Sequence, residues 1–180
     1  IEAAVALSYV DQEGAKANLD SEATGWNFDD IQAAARKLWA DKISRIQLEE
    51  ATLDQKRIFY TAMYHSFIAP NMISDVNGNY TMEGETIHSP DLVQLSNIST
   101  WDTFRALHPL WSVIDQKADA HLVDVLVSRY TQSDAGLALW EGLGHDNFCM
   151  PGYAGISVMA DAALKELPGV DPKAVYQCIR

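Results

Sequence analysis

The chain has 180 residues, of which 48% are hydrophobic and 21% charged, and its formal net charge is −12 at pH 7. This composition is typical of a globular protein rather than a disordered one, and the length suffices for one compact domain. The acidic balance argues against a nucleic-acid partner, which needs a surface rich in Lys and Arg, and against docking to an anionic membrane. The sequence has no run of about 18 apolar residues, so we expect no membrane span.

The first half of the chain contains clear local signals for secondary structure. Residues 2–10 are largely apolar and predict a short strand. Asn27 is a good N-cap, and the apolar side chains after it recur at spacings of three and four, which predicts a helix. A capping box at Thr52 predicts the next helix, which we expect to continue to about Ala69 and to end at Pro70.

The second half alternates between polar loops and apolar helices. Residues 70–98 are rich in Asn, Asp, Gly and Ser and predict a long loop, which is typical of functional or disordered segments. A helix is predicted to begin near Ser99, and Pro109 should bend or interrupt it. Residues 119–131 are apolar nearly all round, which predicts a helix that is buried on most sides. The sequence therefore predicts a mainly α fold, either an α/α toroid or a bundle.

The C-terminal part predicts two further helices. One is expected to begin at Pro151 and to run to about Leu167, and Asp171-Pro172 is a strong start signal for the other. The last helix has no C-terminal cap before Arg180, so we expect that the sequence was cut within a larger protein. The two cysteines, at 149 and 178, have no metal-ligand spacing, and the sequence is compatible with either one disulfide or two free thiols.

The first candidate site lies where the long loop meets a helix. Trp101 and Asp102 stand at the beginning of that helix, so both side chains can face a cleft. An indole ring covers the apolar face of a sugar, and a carboxylate accepts hydrogen bonds from two hydroxyls. The alternative is a capping aspartate and a core tryptophan, and composition alone favours that alternative.

The second candidate site is a loop between Gly144 and Gly152 that contains His145 and Asp146. An aspartate beside a helix start can act as a general acid. It can equally be a turn residue, because Asp and Asn are common in loops rich in Gly, and the residues alone favour this second interpretation.

Together these segments resemble glycoside hydrolase family 92, and the resemblance extends over nearly the whole chain in the same order. The blocks that carry it are Gly14-Ala15-Lys16-Ala17-Asn18-Leu19, Gly25-Trp26-Asn27-Phe28-Asp29, Ile58 to His65, Ala69-Pro70-Asn71, Ser74 to Tyr80, Ser99-Thr100-Trp101-Asp102-Thr103-Phe104-Arg105, His108-Pro109-Leu110, Cys149-Met150-Pro151-Gly152-Tyr153 and Ala160-Asp161-Ala162.

The resemblance implies an exo-acting, calcium-dependent α-mannosidase that inverts the anomeric centre. It also implies a β-sandwich joined to an (α/α)6 barrel, with residues 1–10 as the end of the sandwich, 11–50 as a helical linker and 51–180 as the first part of the barrel. The implied partners are a glycan that contains mannose and the rest of the same chain. The implied location is secreted or periplasmic.

The resemblance also assigns roles to three residues. Trp101 and Asp102 match the subsite that binds the sugar, and Asp146 falls where the family is expected to place its general-acid Glu. An Asp is one methylene shorter, about 1.5 Å, which places its oxygens farther from the leaving group. The base aspartates and most calcium ligands are expected in later blocks, so we expect these residues alone to be inactive.

Two alternatives remain open at this stage. The chain can belong to an (α/α)6 glycosidase or phosphorylase of another family, or it can be a non-catalytic glycan-binding or structural helical domain. The sequence from Asp75 onward resembles the start of an EF-hand loop, which binds calcium. Tyr80, however, occupies the position where that loop requires Gly. The histidines at 65, 88, 108 and 121 have no shared ligand spacing, and we interpret them as structural or surface residues.

Overall fold

Helices make up about half of the chain, and short strands occupy the segments between them. The computed structural model describes residues 3–23, 25, 27–133 and 136–180. The helices are α1 (Gln12–Glu22), α2 (Phe28–Ile43), α3 (Leu53–His65), α4 (Thr100–Thr103), α5 (Leu107–Ile114), α6 (Gln116–Gln132), α7 (Ala154–Leu164) and α8 (Pro172–Ile179). The strands are β1 (Asn71–Met72), β2 (Asn79–Met82), β3 (Glu85–His88), β4 (Leu95–Ser96), β5 (Ile98–Ser99), β6 (Trp140–Gly142) and β7 (His145–Asp146).

The predicted helix starts are confirmed where a side chain caps the first turn. Asn27 accepts a hydrogen bond from the backbone N–H of Asp29 at 3.1 Å. Thr52 and Gln55 form both bonds of the capping box, at 3.3 and 2.9 Å. Asp171 caps α8 in the same way. These bonds satisfy backbone N–H groups that have no partner within the helix. Because the capping side chain and the N–H group are close in sequence, the sequence alone indicates where such a helix begins.

Helix ends differ from the sequence-based prediction. Helix α3 ends at His65 rather than near Ala69, and the Ser66 hydroxyl donates to the carbonyl of Met63 at 2.7 Å in its last turn. The helix expected after Ser99 is interrupted at residues 104–106, ahead of Pro109. Proline then lies in the first turn of α5, where its missing N–H would have no partner in any case.

The predicted N-terminal strand is not confirmed for the part of it that the structure describes. Residues 3–10 form no strand with any described segment. Val5 and Leu7 are 85% and 75% exposed, so no neighbour packs on them to stabilise an extended pairing. Glu2 of that prediction, and Trp26 of the family block, lie outside the described residues.

The segment predicted as a long loop contains strands instead. β2 pairs with β3 in an antiparallel hairpin, and β1 pairs with β4. The hairpin turn has positive φ at both central residues, 51° at Glu83 and 85° at Gly84, as a type I′ turn requires. Tyr80, Met82 and Ile73 form a small buried cluster on this hairpin.

A three-stranded antiparallel sheet has the order β5-β6-β7. Its β6–β7 turn again has positive φ at both central residues, 53° at Leu143 and 85° at Gly144. A Cβ at Gly144 would lie 2.3 Å from the backbone oxygen of Thr81, so this turn packs directly against β2. Glycine at that position lets the two hairpins touch.

The main core lies around α6. Leu122, Val123, Val125 and Leu126 of this helix are at most 2% exposed. They pack with side chains of α7, α8 and β5, namely Val158, Met159, Ala162, Val175, Cys178 and Ile98. The helix predicted at 119–131 is therefore confirmed, as is its burial. Both cysteines are free, with Cys149 exposed and Cys178 buried.

We expect Leu126→Ala to lower the free energy of unfolding by about 2–5 kcal/mol, because it removes buried methyl groups and leaves a cavity. Leu126→Met is the matched control, since it conserves volume and should cost less than about 1.5 kcal/mol. Denaturant titration of both variants measures the difference. Equal losses for both would contradict the placement of Leu126 in a closely packed core.

Candidate functional site

A single small sheet brings the two candidate segments together. Ser99, at the end of β5, pairs with Trp140, and Glu141 pairs with Asp146 on the other side of β6. Neighbouring strands lie about 4.8 Å apart, so Asp146 is about two strand spacings from β5. Helix α4, with Trp101 and Asp102, begins directly after β5. The sheet thus places the Trp-Asp pair and the glycine-rich loop on one structural unit.

Asp102 is exposed and accepts a hydrogen bond from the Ser99 hydroxyl at 2.5 Å. Ser99 is the N-cap of α4, and its side chain makes no bond to the backbone of the helix because its hydroxyl donates to Asp102 instead. Trp101 is only partly buried, and the Arg105 guanidinium lies 5.3 Å from the centre of its ring. Both side chains therefore reach the surface at the start of α4.

Asp146 is partly buried, and three backbone N–H groups donate to its carboxylate. Leu139 donates to one oxygen at 3.2 Å, and Trp140 and Phe148 donate to the other at 3.4 and 3.1 Å. These bonds fix the backbone on both sides of β7, which is what the turn interpretation expects. The assignment of Asp146 as general acid stays a prediction.

A cavity of about 390 Å³ lies beside Asp146. This volume is within the range of small-molecule sites in proteins. Ionisable groups and an aromatic ring share its wall: Arg129, Glu141, His145, Asp146 and Phe148. Phe148 is 82% exposed, so its ring stands at the mouth of the cavity.

A buried pair of opposite charges supports this loop, and the sequence analysis did not find it. Arg129 Nη2 lies 3.7 Å from Glu141 Oε1, and each residue is 3% exposed. The same oxygen accepts hydrogen bonds from the Gly144 N–H at 2.7 Å and from the Ser96 hydroxyl at 3.2 Å. Glu141 therefore holds the tight turn that precedes Asp146. The signal that could have predicted this pair was Arg129 itself, a charged residue inside the apolar run 119–131, since a buried charge needs a partner.

Burial changes the ionisation of both members of this pair. Loss of hydration raises the pKa of Glu141 above its ordinary value of 4.5, and the nearby Arg129 opposes that change. Loss of hydration also lowers the pKa of Arg129, which Glu141 opposes. In both residues the loss of hydration therefore outweighs the attraction between the two charges.

Two of the family blocks meet at a second buried carboxylate. The oxygens of Asp75 accept hydrogen bonds from the Ser8 hydroxyl and from the Asn18 side chain, both at 2.8 Å. A Cβ at Gly14 would lie 2.2 Å from an Asp75 oxygen, so the contact requires glycine there. Asp75 thus ties α1 to the segment that precedes β2.

Among the residues described, no three side chains of His, Cys, Asp and Glu lie close enough together to hold a metal ion. Calcium stays a prediction from the resemblance. Within the same residues, no helix is long and apolar enough to cross a membrane.

Comparison with known proteins places the chain among the glycoside hydrolases. The profile of the glycosyl hydrolase family 92 catalytic domain matches residues 14–180. The chain belongs to glycosyl hydrolase family 92, as the sequence blocks indicated.

Solved structures of this family superpose closely on the chain. A family GH92 α-mannosidase from Bacteroides thetaiotaomicron has a TM-score of 0.89 at 29% identity, over 95% of this chain and 23% of that one. A family GH92 inverting mannosidase from the same bacterium has a TM-score of 0.81 at 26% identity, again over 95% of this chain and 23% of that one. The chain therefore spans about a quarter of the length of these enzymes.

A relative from Arthroderma benhamiae is described as an uncharacterized secreted glycosidase. It is 30% identical over 74 residues, which cover 39% of this chain and 10% of that protein. This shorter match agrees with the glycosidase class.

The buried Glu141 predicts a pH dependence of stability. Because its pKa is raised in the folded state, that state holds the proton more tightly than the unfolded chain does. The resulting stabilisation is complete below pH 4.5 and is lost as the pH rises through the raised value. We therefore expect the free energy of unfolding, relative to that of Glu141→Gln, to fall as the pH rises above 4.5. Denaturant titrations of both proteins across this range measure it, and a difference independent of pH would contradict the prediction.

Proposed function

We propose that this chain contributes part of the catalytic domain of a glycosidase that releases terminal α-linked mannose from glycans with inversion. The observation that carries the proposal is the superposition on a family GH92 α-mannosidase over 95% of the chain. The inverting mannosidase of the same family supports the stereochemical part. Asp102, which is exposed, and Trp101, which is partly buried, give the chain a surface of the right chemistry for a sugar.

In this proposal Trp101 and Asp102 bind the terminal sugar. The indole ring covers the C–H face of the ring, and the carboxylate accepts hydrogen bonds from two neighbouring hydroxyls. The Ser99 hydroxyl donates to one oxygen of Asp102 and so keeps the carboxylate oriented. Hydrogen bonds to a charged group are among the stronger ones, which suits a residue that selects a sugar.

Asp146 is proposed as the general acid, which protonates the oxygen of the leaving group. An inverting enzyme also needs a base carboxylate about 6.5–9.5 Å from the acid, so that a water molecule fits between the base and the sugar. We place that base, and most ligands of the calcium ion, outside these 180 residues. Calcium, when bound, would supply positive charge that holds sugar hydroxyls, and none of the roles given to this chain depends on it.

The domain assignment follows from the same family. We propose that residues 11–50 form a helical linker and 51–180 the first part of an (α/α)6 barrel, with 1–10 at the end of a preceding β-sandwich. The rest of the chain and a mannose-containing glycan are the proposed partners. The secreted glycosidase from Arthroderma benhamiae supports a secreted or periplasmic location.

We expect Asp102→Ala, in the product of the complete reading frame, to lower kcat/KM for an α-mannoside by at least about a hundredfold. The variant loses hydrogen bonds from two hydroxyls to a charged group. Release of mannose in the presence of calcium is the measurement. Asp91→Ala, which removes another exposed carboxylate, is the matched control and should keep full activity. Full activity of Asp102→Ala would remove this residue from the site.

Asp146→Glu separates the two interpretations of the loop. If Asp146 is a shortened acid, the added methylene brings the carboxyl closer to the leaving group, and kcat should rise by up to about a hundredfold. If Asp146 only organises the loop, the longer side chain disturbs its three backbone hydrogen bonds, and stability should fall with no gain in kcat. Mannoside hydrolysis and thermal unfolding are measured together, and an unchanged or lower kcat would contradict the acid assignment.

A further inference from the structure

A chain of hydrogen bonds runs from the interior of the protein to the strand end that bears the proposed sugar site. Asp119 of α6 contacts His108 Nδ1 at 2.7 Å, and each side chain is at most 3% exposed. His108 Nε2 contacts the Thr103 hydroxyl at 3.0 Å. The Thr103 hydroxyl in turn lies 2.9 Å from the carbonyl oxygen of Ser99. We call these residues, Asp119, His108, Thr103 and Ser99, the relay.

The direction of each proton in the relay follows from the groups present. A carbonyl oxygen only accepts, so the Thr103 hydroxyl must give its single proton to Ser99. His108 Nε2 must then donate to Thr103, and His108 Nδ1 donates to the Asp119 carboxylate. With Asp119 as a carboxylate, which only accepts, all three contacts are satisfied together when both ring nitrogens of His108 carry protons. The charge of the imidazolium is then balanced by Asp119 at 2.7 Å.

The order Thr, His, Asp is also that of a nucleophilic triad, but this geometry does not suit one. A nucleophilic hydroxyl gives its proton to the histidine, whereas Thr103 gives its proton to the Ser99 carbonyl. The imidazole is also closed off, because His108 is only 2% exposed. The relay is therefore suited to holding backbone in place rather than to attacking a substrate.

What the relay holds is helix α4. This helix is a single turn of four residues, it has no side-chain cap, and it is separated from α5 by an irregular step at 104–106. A helix this short has little stability of its own, so contacts with its surroundings determine its position. Thr103 at its end bonds to the Ser99 carbonyl, and the hydroxyl of the same Ser99 bonds to Asp102. A shift of Thr103 therefore moves the group that orients Asp102.

We propose that Asp119, His108 and Thr103 are positioning residues that set the orientation of Asp102 toward the hydroxyls of the bound sugar. This proposal rests on the proposed function of Asp102 and adds three residues to it. The relay begins in α6, which contributes Leu122, Val123, Val125 and Leu126 to the main core, and so transfers the rigidity of the core to a one-turn helix at the surface. Loss of the relay should weaken sugar binding without removing any group that touches the sugar.

The clearest test compares Thr103→Val with Thr103→Ser in the product of the complete reading frame. Valine has nearly the shape of threonine but no hydroxyl, so it removes both of the Thr103 bonds. We expect KM for an α-mannoside to rise about tenfold in Thr103→Val, with a smaller change in kcat. Serine keeps the hydroxyl, so Thr103→Ser should stay within about twofold of wild type.

A second pair of variants divides the two contacts of His108. The amide nitrogen of Asn replaces Nδ1 and that of Gln replaces Nε2, so His108→Asn keeps the contact with Asp119 and His108→Gln keeps that with Thr103. The proposal expects His108→Gln to bind the mannoside more tightly than His108→Asn. Equal KM values with only a lower unfolding temperature would show a purely structural role and overturn the proposal.

Nitrogen NMR of the histidine ring gives a readout that does not depend on activity. We expect protons on both ring nitrogens of His108 in the wild type, and loss of the Nδ1 proton signal in Asp119→Asn. A single protonated nitrogen in the wild type would overturn the relay. If Asp102→Ala is inactive but Thr103→Val has an unchanged KM, the proposal for the relay is overturned and the proposed function stands. Full activity of Asp102→Ala would overturn the proposed function itself.

Discussion

Helix α6 carries two opposite charges into the interior of the protein, and the rest of the structure is arranged around their pairing. Asp119 and Arg129 are 1% and 3% exposed although their neighbours on the helix are Leu and Val. A buried charge without a partner costs several kcal/mol, so each of these side chains requires another element to come close. Asp119 brings in His108 of α5, and Arg129 brings in Glu141 of β6. The two pairings determine where the neighbouring elements lie.

Both parts of the proposed site depend on the same helix for this reason. The pair at the start of α6 leads through Thr103 to the short helix that bears Asp102, and the pair near its end leads through the Gly144 turn to Asp146. The two parts also share the sheet β5-β6-β7. A site that is built on small surface elements thereby obtains fixed geometry from one buried helix, which is what precise recognition of a ligand requires.

Local signals in the sequence predicted local structure, but they could not predict contacts between residues that are far apart in the chain. The caps at Asn27, Thr52 and Asp171 were readable because donor and acceptor lie within three residues. The strands were missed because segments of two to four residues are too short to show alternation, and because Glu83 and Leu143 take left-handed conformations that usually indicate glycine. For Trp101 and Asp102, composition alone favoured a core tryptophan and a capping aspartate, whereas their place at a helix start allowed the surface position that the structure shows. The Arg129–Glu141 pair was not predicted, because Glu141 lies twelve residues from Arg129 in a segment between two predicted helices.

Helix α2 lies at the opposite extreme from α6, since none of its residues is buried. It packs on α3, and near its C-terminal end Lys42 and Arg45 form ion pairs with the buried Asp115. The free energy needed to open a helix locally follows the contacts that are broken, and here those contacts are few and concentrated at one end. In these 180 residues, amide protons near Phe28 should therefore exchange with solvent through local fraying. Those of α6 should exchange only when the whole core opens.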